Sequence, residues 1–183
     1  MKRLALFDFD HTLVSIDSML AFLKYCHPAW RVNLSIAVLS LLIPFRDRAK
    51  LKASLMALLF KNWEDSKLEL AVINFAQKAL TNSRNKEVYD LFLSLKKTHE
   101  VYIVSASFDI WLKPWCEQEN VGLICSKFDT KNRKAISKNC KGEEKLIRIK
   151  EELNPSSYSE IYAVGNLPDD AAMFSIGTIT KAV

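Results

Sequence analysis

The amino-acid sequence predicts an α/β protein with a Rossmann-like parallel sheet core and an inserted all-helical cap. Short apolar runs alternate with helical patterns over much of the chain, which is typical of a parallel sheet covered on both faces. The first two runs are separated by a glycine-free stretch of helical character. A parallel crossover needs only about a dozen residues or more. We therefore predict a core of residues 1–14 and 81–183 and a helical cap of residues 15–80.

The predicted strands are short and strongly apolar. Residues 2–8, KRLALFD, form an apolar run that ends in an acid, which suits a buried strand. Residues 101–104, VYIV, are four consecutive β-branched or aromatic residues, a pattern favoured in fully buried strands. Further strands are predicted at 121–126, 160–164 and 178–182.

The helical patterns lie between these runs. Pro28 and Pro44 punctuate the stretch before residue 80, which predicts about four helices in succession. Residues 88, 91, 92 and 95 are apolar and share one face of a helix. The remaining predictions are helices at 85–97, 108–118 and 142–153 and a polar loop or hairpin at 127–141.

Composition and charge narrow the class of protein. The chain has 183 residues, of which 49% are hydrophobic and 26% charged, and this composition excludes disordered and fibrous classes. The net charge of +5 is spread over the whole length. Because no known nucleic-acid-binding motif accompanies it, we expect a solvated basic surface and no nucleic-acid partner. A basic protein does favour anionic ligands such as phosphate esters.

The spacing of the cysteines and the first ten residues indicate the cellular compartment in which the protein is expected. Four cysteines are widely scattered, with no Cys-x-x-Cys pair, which argues against a thiolate zinc site and a disulfide framework. Acidic residues lie within the first ten positions, which argues against a signal peptide. We therefore expect a reducing, cytoplasmic location.

One apolar segment leaves two interpretations open. Residues 32–45, VNLSIAVLSLLIPF, carry no charge, but a bilayer span takes about 20 residues. The segment is either a buried helix of a small bundle or an interfacial helix that makes peripheral contact with lipid. Its basic flanks are Arg31 on one side and Arg46, Arg48, Lys50 and Lys52 on the other.

Two acidic residues lie at the end of the first predicted strand. Asp8 and Asp10 lie two residues apart, so their side chains point to the same side of the chain. One carboxylate can act as a nucleophile while the other transfers protons. The neighbouring apolar runs make burial here costly for an acid without a function, which favours a catalytic site.

Three further groups follow the other predicted strands. Ser105 follows residues 101–104, where a hydroxyl can donate a hydrogen bond to a phosphoryl oxygen. Lys145 begins a predicted helix, and a cation there can neutralise a nucleophile and a transferring phosphoryl group. Asn166, Asp169 and Asp170 follow the strand at 160–164. Their oxygen atoms suit Mg²⁺, although two adjacent acids would also suit a helix N-cap.

These motifs, in this order, resemble the haloacid dehalogenase superfamily of phosphohydrolases. The segments FDFDHTL, VSASFDIWLKPW and NCKGEEKLIRI are most similar to the phosphoserine-phosphatase-like branch, in which a helical cap lies between the first and second motifs. The resemblance covers nearly the whole chain. It implies a Mg²⁺-dependent phosphatase that hydrolyses a phosphorylated small molecule.

The resemblance implies roles for the first two acids. Asp8 would be the nucleophile, would form an aspartyl-phosphate and would also bind Mg²⁺. Asp10 would protonate the leaving alcohol and then activate water, while its backbone carbonyl contacts the metal. Thr12 would support the phosphate site at the start of the cap linker.

It also implies roles for residues in the later motifs. Ser105 and Lys145 would bind the phosphoryl oxygens, and Lys145 would be catalytic. Asn166 and Asp170 would complete the metal site directly or through water. Asn166 is a departure, because family members usually have Asp after this glycine, and an amide supplies no negative charge.

Two alternatives to a soluble phosphomonoester hydrolase follow. The apolar segment 32–45 with its basic flanks is similar to the cap of bacterial phosphatidylglycerophosphatase C, which implies a membrane-associated lipid-phosphate phosphatase. Asn166 instead favours a catalytically weak or inactive binding protein on the same fold.

Overall fold

The computed structural model describes residues 2–44 and 47–183. Phe45 and Arg46, from the predicted apolar segment and its flank, lie outside the described residues, as does the side chain of Arg48. The strands are β1 (Lys2–Phe7), β2 (Glu100–Phe108), β3 (Gly122–Ser126), β4 (Phe128–Asp129), β5 (Lys134–Ala135), β6 (Tyr158–Gly165) and β7 (Ile179–Ala182). The helices are α1 (Ser18–Cys26), α2 (Ala29–Leu42), α3 (Arg48–Phe60), α4 (Asp65–Asn74), α5 (Lys86–Leu95), α6 (Asp109–Glu119), α7 (Glu143–Glu152) and α8 (Ala171–Phe174).

Five strands form one parallel sheet in the order β3-β2-β1-β6-β7. The central strand β1 is fully buried over residues 4–7, because helices cover both faces of the sheet and a strand in this position is apolar throughout. The predicted Rossmann-like α/β core is confirmed.

Alternate residues of β1 enter two hydrophobic clusters. Phe7 packs in the larger cluster with Phe92 of α5 and Trp115 of α6. Leu6 belongs to the smaller cluster on the other face, with Ile149 of α7. This division follows from the two-residue period of a strand, which points successive side chains to opposite faces.

A helical region lies between β1 and β2, as predicted. It contains α1 to α4 and a π-helical turn over Phe75–Leu80, in agreement with the expected four helices. Its entry and exit are hydrogen-bonded to each other, since Ser15 N donates to Ser83 O at 2.8 Å and Asn85 N donates to Leu13 O at 2.8 Å. These bonds support a cap over 15–80, although the domain boundaries themselves stay a prediction.

Helix α2 is not fully buried, so the interpretation of segment 32–45 as a buried helix is wrong. Val32 is buried, but Leu34, Leu41 and Leu42 are 57%, 87% and 74% exposed. The helix therefore contacts the rest of the cap along one face and leaves an apolar face uncovered. No helix within the described ranges is both long and apolar enough to cross a membrane.

Strand β2 is longer than predicted, whereas residues 127–141 contain a hairpin, one of the two forms predicted for them. Strand β2 continues to Phe108, with a register shift after Ser105, so Ser105 lies inside the strand rather than just beyond it. Residues 127–141 contain the short β4–β5 hairpin. Arg133 of the hairpin donates hydrogen bonds to Trp63 O and Asp65 Oδ1, both at 2.8 Å, and so connects the hairpin to the cap.

All four cysteines, each within the described ranges, are free thiols.

Candidate active site

A polar cavity of about 260 Å³ lies where β1, β2 and β6 end. The carboxyl ends of parallel strands meet at one edge of a sheet, which is where open α/β sheets bind ligands. Six of the seven predicted site residues line this cavity, namely Asp8, Asp10, Ser105, Lys145, Asn166 and Asp170. The seventh, Thr12, is buried behind Asp8.

Asp8 is held at the base of the cavity. Its backbone N donates to Val164 O at 2.9 Å, so the chain continues beside β6 for one residue past β1. The carboxylate accepts a hydrogen bond from Thr12 Oγ1 at 3.0 Å through Oδ2, and Oδ1 lies 2.5 Å from Lys145 Nζ. Both oxygens therefore have a fixed donor.

Lys145 lies between two acids. Its side chain is buried, and Nζ is 2.5 Å from Asp8 Oδ1 and 2.5 Å from Asp170 Oδ1. Burial lowers the pKa of Lys145, but the two carboxylates outweigh it and raise the pKa above its ordinary value. The ammonium therefore stays charged, and the three groups in their ionised forms carry one net negative charge.

Asp170 completes this triad from the start of α8. Its Oδ2 accepts a hydrogen bond from Asn166 N at 2.8 Å. A Cβ atom at Gly165 would lie 2.4 Å from the same oxygen, so only glycine leaves room for this carboxylate. Burial and the negative charge of Asp8 raise the pKa of Asp170.

Asp10 turns its carboxylate towards the cap. The chain reverses at His11, which has the left-handed φ of 57°. Oδ1 of Asp10 accepts from Ser18 N at 2.9 Å, and Oδ2 accepts from Ser107 Oγ at 2.5 Å. Burial raises the pKa of Asp10 above its ordinary value, which favours the protonated form that a general acid needs.

Ser18 and Ser107 are site residues that the sequence analysis missed. Trp111 Nε1 donates to Ser18 Oγ at 2.9 Å, and Ser18 Oγ donates to Ser107 Oγ at 3.1 Å. This chain joins α6, the cap and β2 to Asp10. The segment VSASF could have indicated Ser107 as a site residue. Ser107 is two residues from Ser105 in the sequence, and such residues point to the same face of a strand.

Ser105 lines the cavity beside Asp8. It is buried, and its Oγ accepts from Ser107 N at 3.1 Å. The hydroxyl hydrogen of Ser105 is thus available to a ligand in the cavity.

Asn166 lies where the predicted metal ligands converge. Its Nδ2 is 3.4 Å from Asp8 Oδ2, 3.4 Å from the Asp10 carbonyl oxygen and 3.2 Å from Thr12 Oγ1. The two ends of an amide are assigned from such contacts. Turned by 180°, the amide would place its oxygen beside those of Asp8 and Asp10, and such a set of oxygen atoms fits Mg²⁺.

The residues that could bind Mg²⁺ supply little negative charge. Among the described residues, no three His, Cys, Asp or Glu side chains are grouped as a metal site. Asp170 bonds Lys145 Nζ and Asn166 N, and Asn166 itself is uncharged. Asp8 is therefore the carboxylate best placed to bind a cation directly.

The cap and the cavity rim add three charged residues that were not predicted for the site, namely Asp17, Lys52 and Lys141. Asp17 and Lys52 line the cavity from the cap side. Lys141 forms an ion pair with Asp169 at 2.7 Å, and both line the rim. Nothing in the sequence pattern of the cap marked Lys52 as part of a site.

A parallel sheet that gathers acids and a buried lysine at its carboxyl edge, beneath a helical region, defines an enzyme of the α/β class. The chain belongs to the haloacid dehalogenase-like hydrolase family, whose model matches residues 5–175. The predicted superfamily is confirmed.

Individual proteins show the same likeness. Protein CicA of Caulobacter vibrioides is 27% identical to this chain, over an alignment that covers 94% of this chain and 82% of CicA. A protein of unknown function from Bordetella pertussis Tohama I has the same fold, with a TM-score of 0.81, 19% identity and coverage of 100% of this chain and 90% of that one. A substrate-bound phosphoserine phosphatase has a TM-score of 0.69 and 19% identity, with coverage of 100% and 86%. The predicted phosphoserine-phosphatase-like fold, with its helical cap, is thereby confirmed.

Proposed function

We propose that the protein is a Mg²⁺-dependent phosphomonoester hydrolase that works through an aspartyl-phosphate on Asp8. The observation that carries this proposal is the position of the Asp8 carboxylate at the base of a polar cavity, 2.5 Å from the buried ammonium of Lys145. A phosphate group in this cavity meets a nucleophile, a cation and the hydroxyl of Ser105 together.

The reaction has two steps. In the first, an oxygen of Asp8 attacks phosphorus, the ester P–O bond breaks, and the leaving alcohol takes a proton from Asp10. In the second, Asp10 accepts a proton from water, which attacks phosphorus and releases Asp8 and inorganic phosphate. Lys145 and Ser105 hold the phosphoryl oxygens in both steps, so positioning and charge neutralisation lower the barrier. Thr12 acts on the phosphate only through Asp8.

A metal ion fits the same site. Asp8, the carbonyl of Asp10 and the Asn166 amide oxygen would hold Mg²⁺, with Asp170 contributing directly or through water. When bound, the ion would neutralise charge on the phosphoryl group.

Turnover of p-nitrophenyl phosphate with and without Mg²⁺ tests the proposal. We expect Mg²⁺-dependent release of nitrophenolate and a loss of at least about a thousandfold in Asp8→Asn, which removes the nucleophile. Asp90→Asn, which changes an exposed acid on α5, is the matched control and keeps full activity. Turnover that survives in Asp8→Asn would refute the mechanism.

A second candidate function is a phosphatase of membrane-borne lipid phosphates. The observation in its favour is the uncovered face of α2, where Trp30, Leu34, Val38, Leu41 and Leu42 are all exposed. Exposed apolar residues on one helix face, flanked in the sequence by basic residues such as Arg31 and Lys50, are typical of helices that lie in a lipid interface.

Sedimentation with anionic vesicles at low salt separates the two candidates. A membrane-docking α2 predicts binding that falls sharply in Leu41→Asp. Leu70→Asp, which changes an exposed leucine on α4, should bind like the unaltered protein. An absence of vesicle binding, or equal losses in both variants, would count against the lipid-phosphate candidate and leave the soluble one.

A further inference from the structure

A second cavity adjoins the catalytic one inside the cap. Its volume is about 350 Å³, and most of its lining is apolar, supplied by α1, α2 and α3 through residues such as Leu20, Ile36 and Leu51. Asp17 and Lys52 line both cavities. The polar cavity over Asp8 and the apolar cavity therefore border each other at these two side chains.

Lys52, which borders both cavities, is not paired with an acid among the described residues. Lys145 and Lys141 pair with acids of the catalytic cavity, whereas Lys52 takes part in none of the ion pairs found across residues 2–44 and 47–183. It is half-buried, so an anion beside it interacts with less screening than at the surface. Asp17 is already engaged, because its Oδ1 caps α1 through Leu20 N at 2.8 Å.

We propose that the apolar cavity binds an alkyl or acyl chain on the leaving group of the phosphomonoester, while Lys52 contacts the anionic head between the chain and Asp8. This inference rests on the proposed phosphatase function. It deepens that function by naming the substrate class, a phosphate ester with one apolar arm. Burial of each methylene of such an arm favours binding by up to about fourfold.

The test is a chain-length series of ethyl, hexyl and decyl phosphate, each kept below its micelle-forming concentration. We expect kcat/KM for decyl phosphate to exceed that for ethyl phosphate by at least about tenfold, as is usual for apolar groups in a fitted pocket. Equal values across the series would overturn the inference, while hydrolysis itself would leave the proposed function standing.

Two isoleucines of the cap provide a matched pair of variants. Ile36 lines the apolar cavity, whereas Ile73 is an exposed residue of α4. Ile36→Ser should lower kcat/KM for decyl phosphate by about tenfold and leave ethyl phosphate within about twofold, and Ile73→Ser should change neither. Equal effects of the two variants would contradict a role for the cavity.

A second variant, which fills the apolar cavity, keeps the test valid if Ile36→Ser does not fold. Ser40 is an exposed residue that lines the apolar cavity, so Ser40→Trp should obstruct the chain without removing core packing. We expect the same selective loss for decyl phosphate. Unchanged chain-length preference in a folded Ser40→Trp protein would overturn the inference.

Binding to Asp8→Asn distinguishes failure of the inference from failure of the proposed function. If no ester is hydrolysed, the phosphatase proposal fails, and calorimetry with decyl and ethyl phosphate still reports on the cavity. Tighter binding of decyl phosphate supports the cavity, and equal affinities refute it. A parallel arm with phosphatidate in vesicles separates a lipid source from a soluble one. Preference for the vesicle alone, with decyl phosphate no better than ethyl phosphate, would also overturn the inference.

Discussion

At the scale of single residues, Asn166 decides how strongly the site can hold a metal ion. Its amide nitrogen lies against the oxygens of Asp8, Asp10 and Thr12, so the amide takes the position that a cation would share. Lys145 already neutralises part of the charge on Asp8 and Asp170. A neutral residue at 166 therefore leaves little negative charge for Mg²⁺.

Asn166→Asp should raise Mg²⁺ affinity by about tenfold or more, because an added carboxylate increases the charge of the ligand set. Isothermal calorimetry in phosphate-free buffer measures this directly, with Asn154→Asp at an exposed position as the control. An unchanged affinity would contradict the proposed metal site. If neither Asn166→Asp nor the unaltered protein hydrolyses any of a broad panel of phosphate esters, the non-catalytic binding protein becomes the better interpretation.

Ser107 donates a hydrogen bond to Asp10, the proposed general acid. Its hydroxyl is 2.5 Å from Asp10 Oδ2. Ser107→Ala should lower kcat by about tenfold for alkyl phosphates and much less for p-nitrophenyl phosphate, because nitrophenolate leaves with little help from a general acid. Equal losses for good and poor leaving groups would show that Ser107 supports only the fold. Far-ultraviolet circular dichroism and the melting temperature of the variant check its folding.

At the scale of secondary structure, the end of α1 contains a buried histidine. His27 is buried, and its ring lies 5.0 Å from that of Phe60 and 5.2 Å from that of Trp63. Burial lowers the pKa of His27 below its ordinary 6.5, and the positive charges of Arg31 and Lys67 lower it further. The cap therefore holds this histidine in the neutral form.

His27 should make the folded protein less stable in mild acid. The unfolded chain binds the proton at a higher pH than the native protein does, so stability is complete above about pH 6.5 and is lost as the pH falls further. Thermal unfolding between pH 7.5 and 5.5 measures this loss. In His27→Phe, which keeps an aromatic ring without a titrating group, the decrease should be smaller. The same pH dependence in both proteins would contradict the assignment.

At the scale of the whole molecule, the cap and the sheet share one hydrophobic cluster. Phe22 of α1 is fully buried, and its ring lies 5.5 Å from Phe60, 5.2 Å from Phe75 and 5.1 Å from Trp111 of α6. The same cluster includes Phe7 of β1. Packing of the cap and packing of the sheet are therefore coupled.

Phe22→Ala should destabilise the entire protein by about 3–5 kcal/mol, the usual cost of removing a buried phenylalanine ring. Because the cluster is shared, we expect one cooperative transition in which tryptophan fluorescence and far-ultraviolet circular dichroism coincide. Leu58→Ala, at an exposed position of α3, should cost much less. Two separate transitions, with only the first moved by Phe22→Ala, would contradict the coupling.

The sequence predicted the parallel core and six of the residues that line the cavity. Buried parallel strands must be apolar along their whole length, as in residues 4–7, so their pattern is readable without a structure. The acids at 8 and 10 and Lys145 were readable because they follow strands or begin a helix, and strand ends meet at one edge of a sheet.

Contacts between side chains that are far apart in the sequence depended on tertiary packing. The hydrogen bond from Ser107 to Asp10 and the position of Lys52 beside the cavity depend on how the cap docks on the sheet. The uncovered face of α2 was equally hidden, because an apolar helix has the same composition whether neighbours cover one face or all of them. Hydrophobic period and secondary-structure propensity act locally. A contact between residues 97 positions apart, such as that of Ser107 with Asp10, follows from packing that no local pattern encodes.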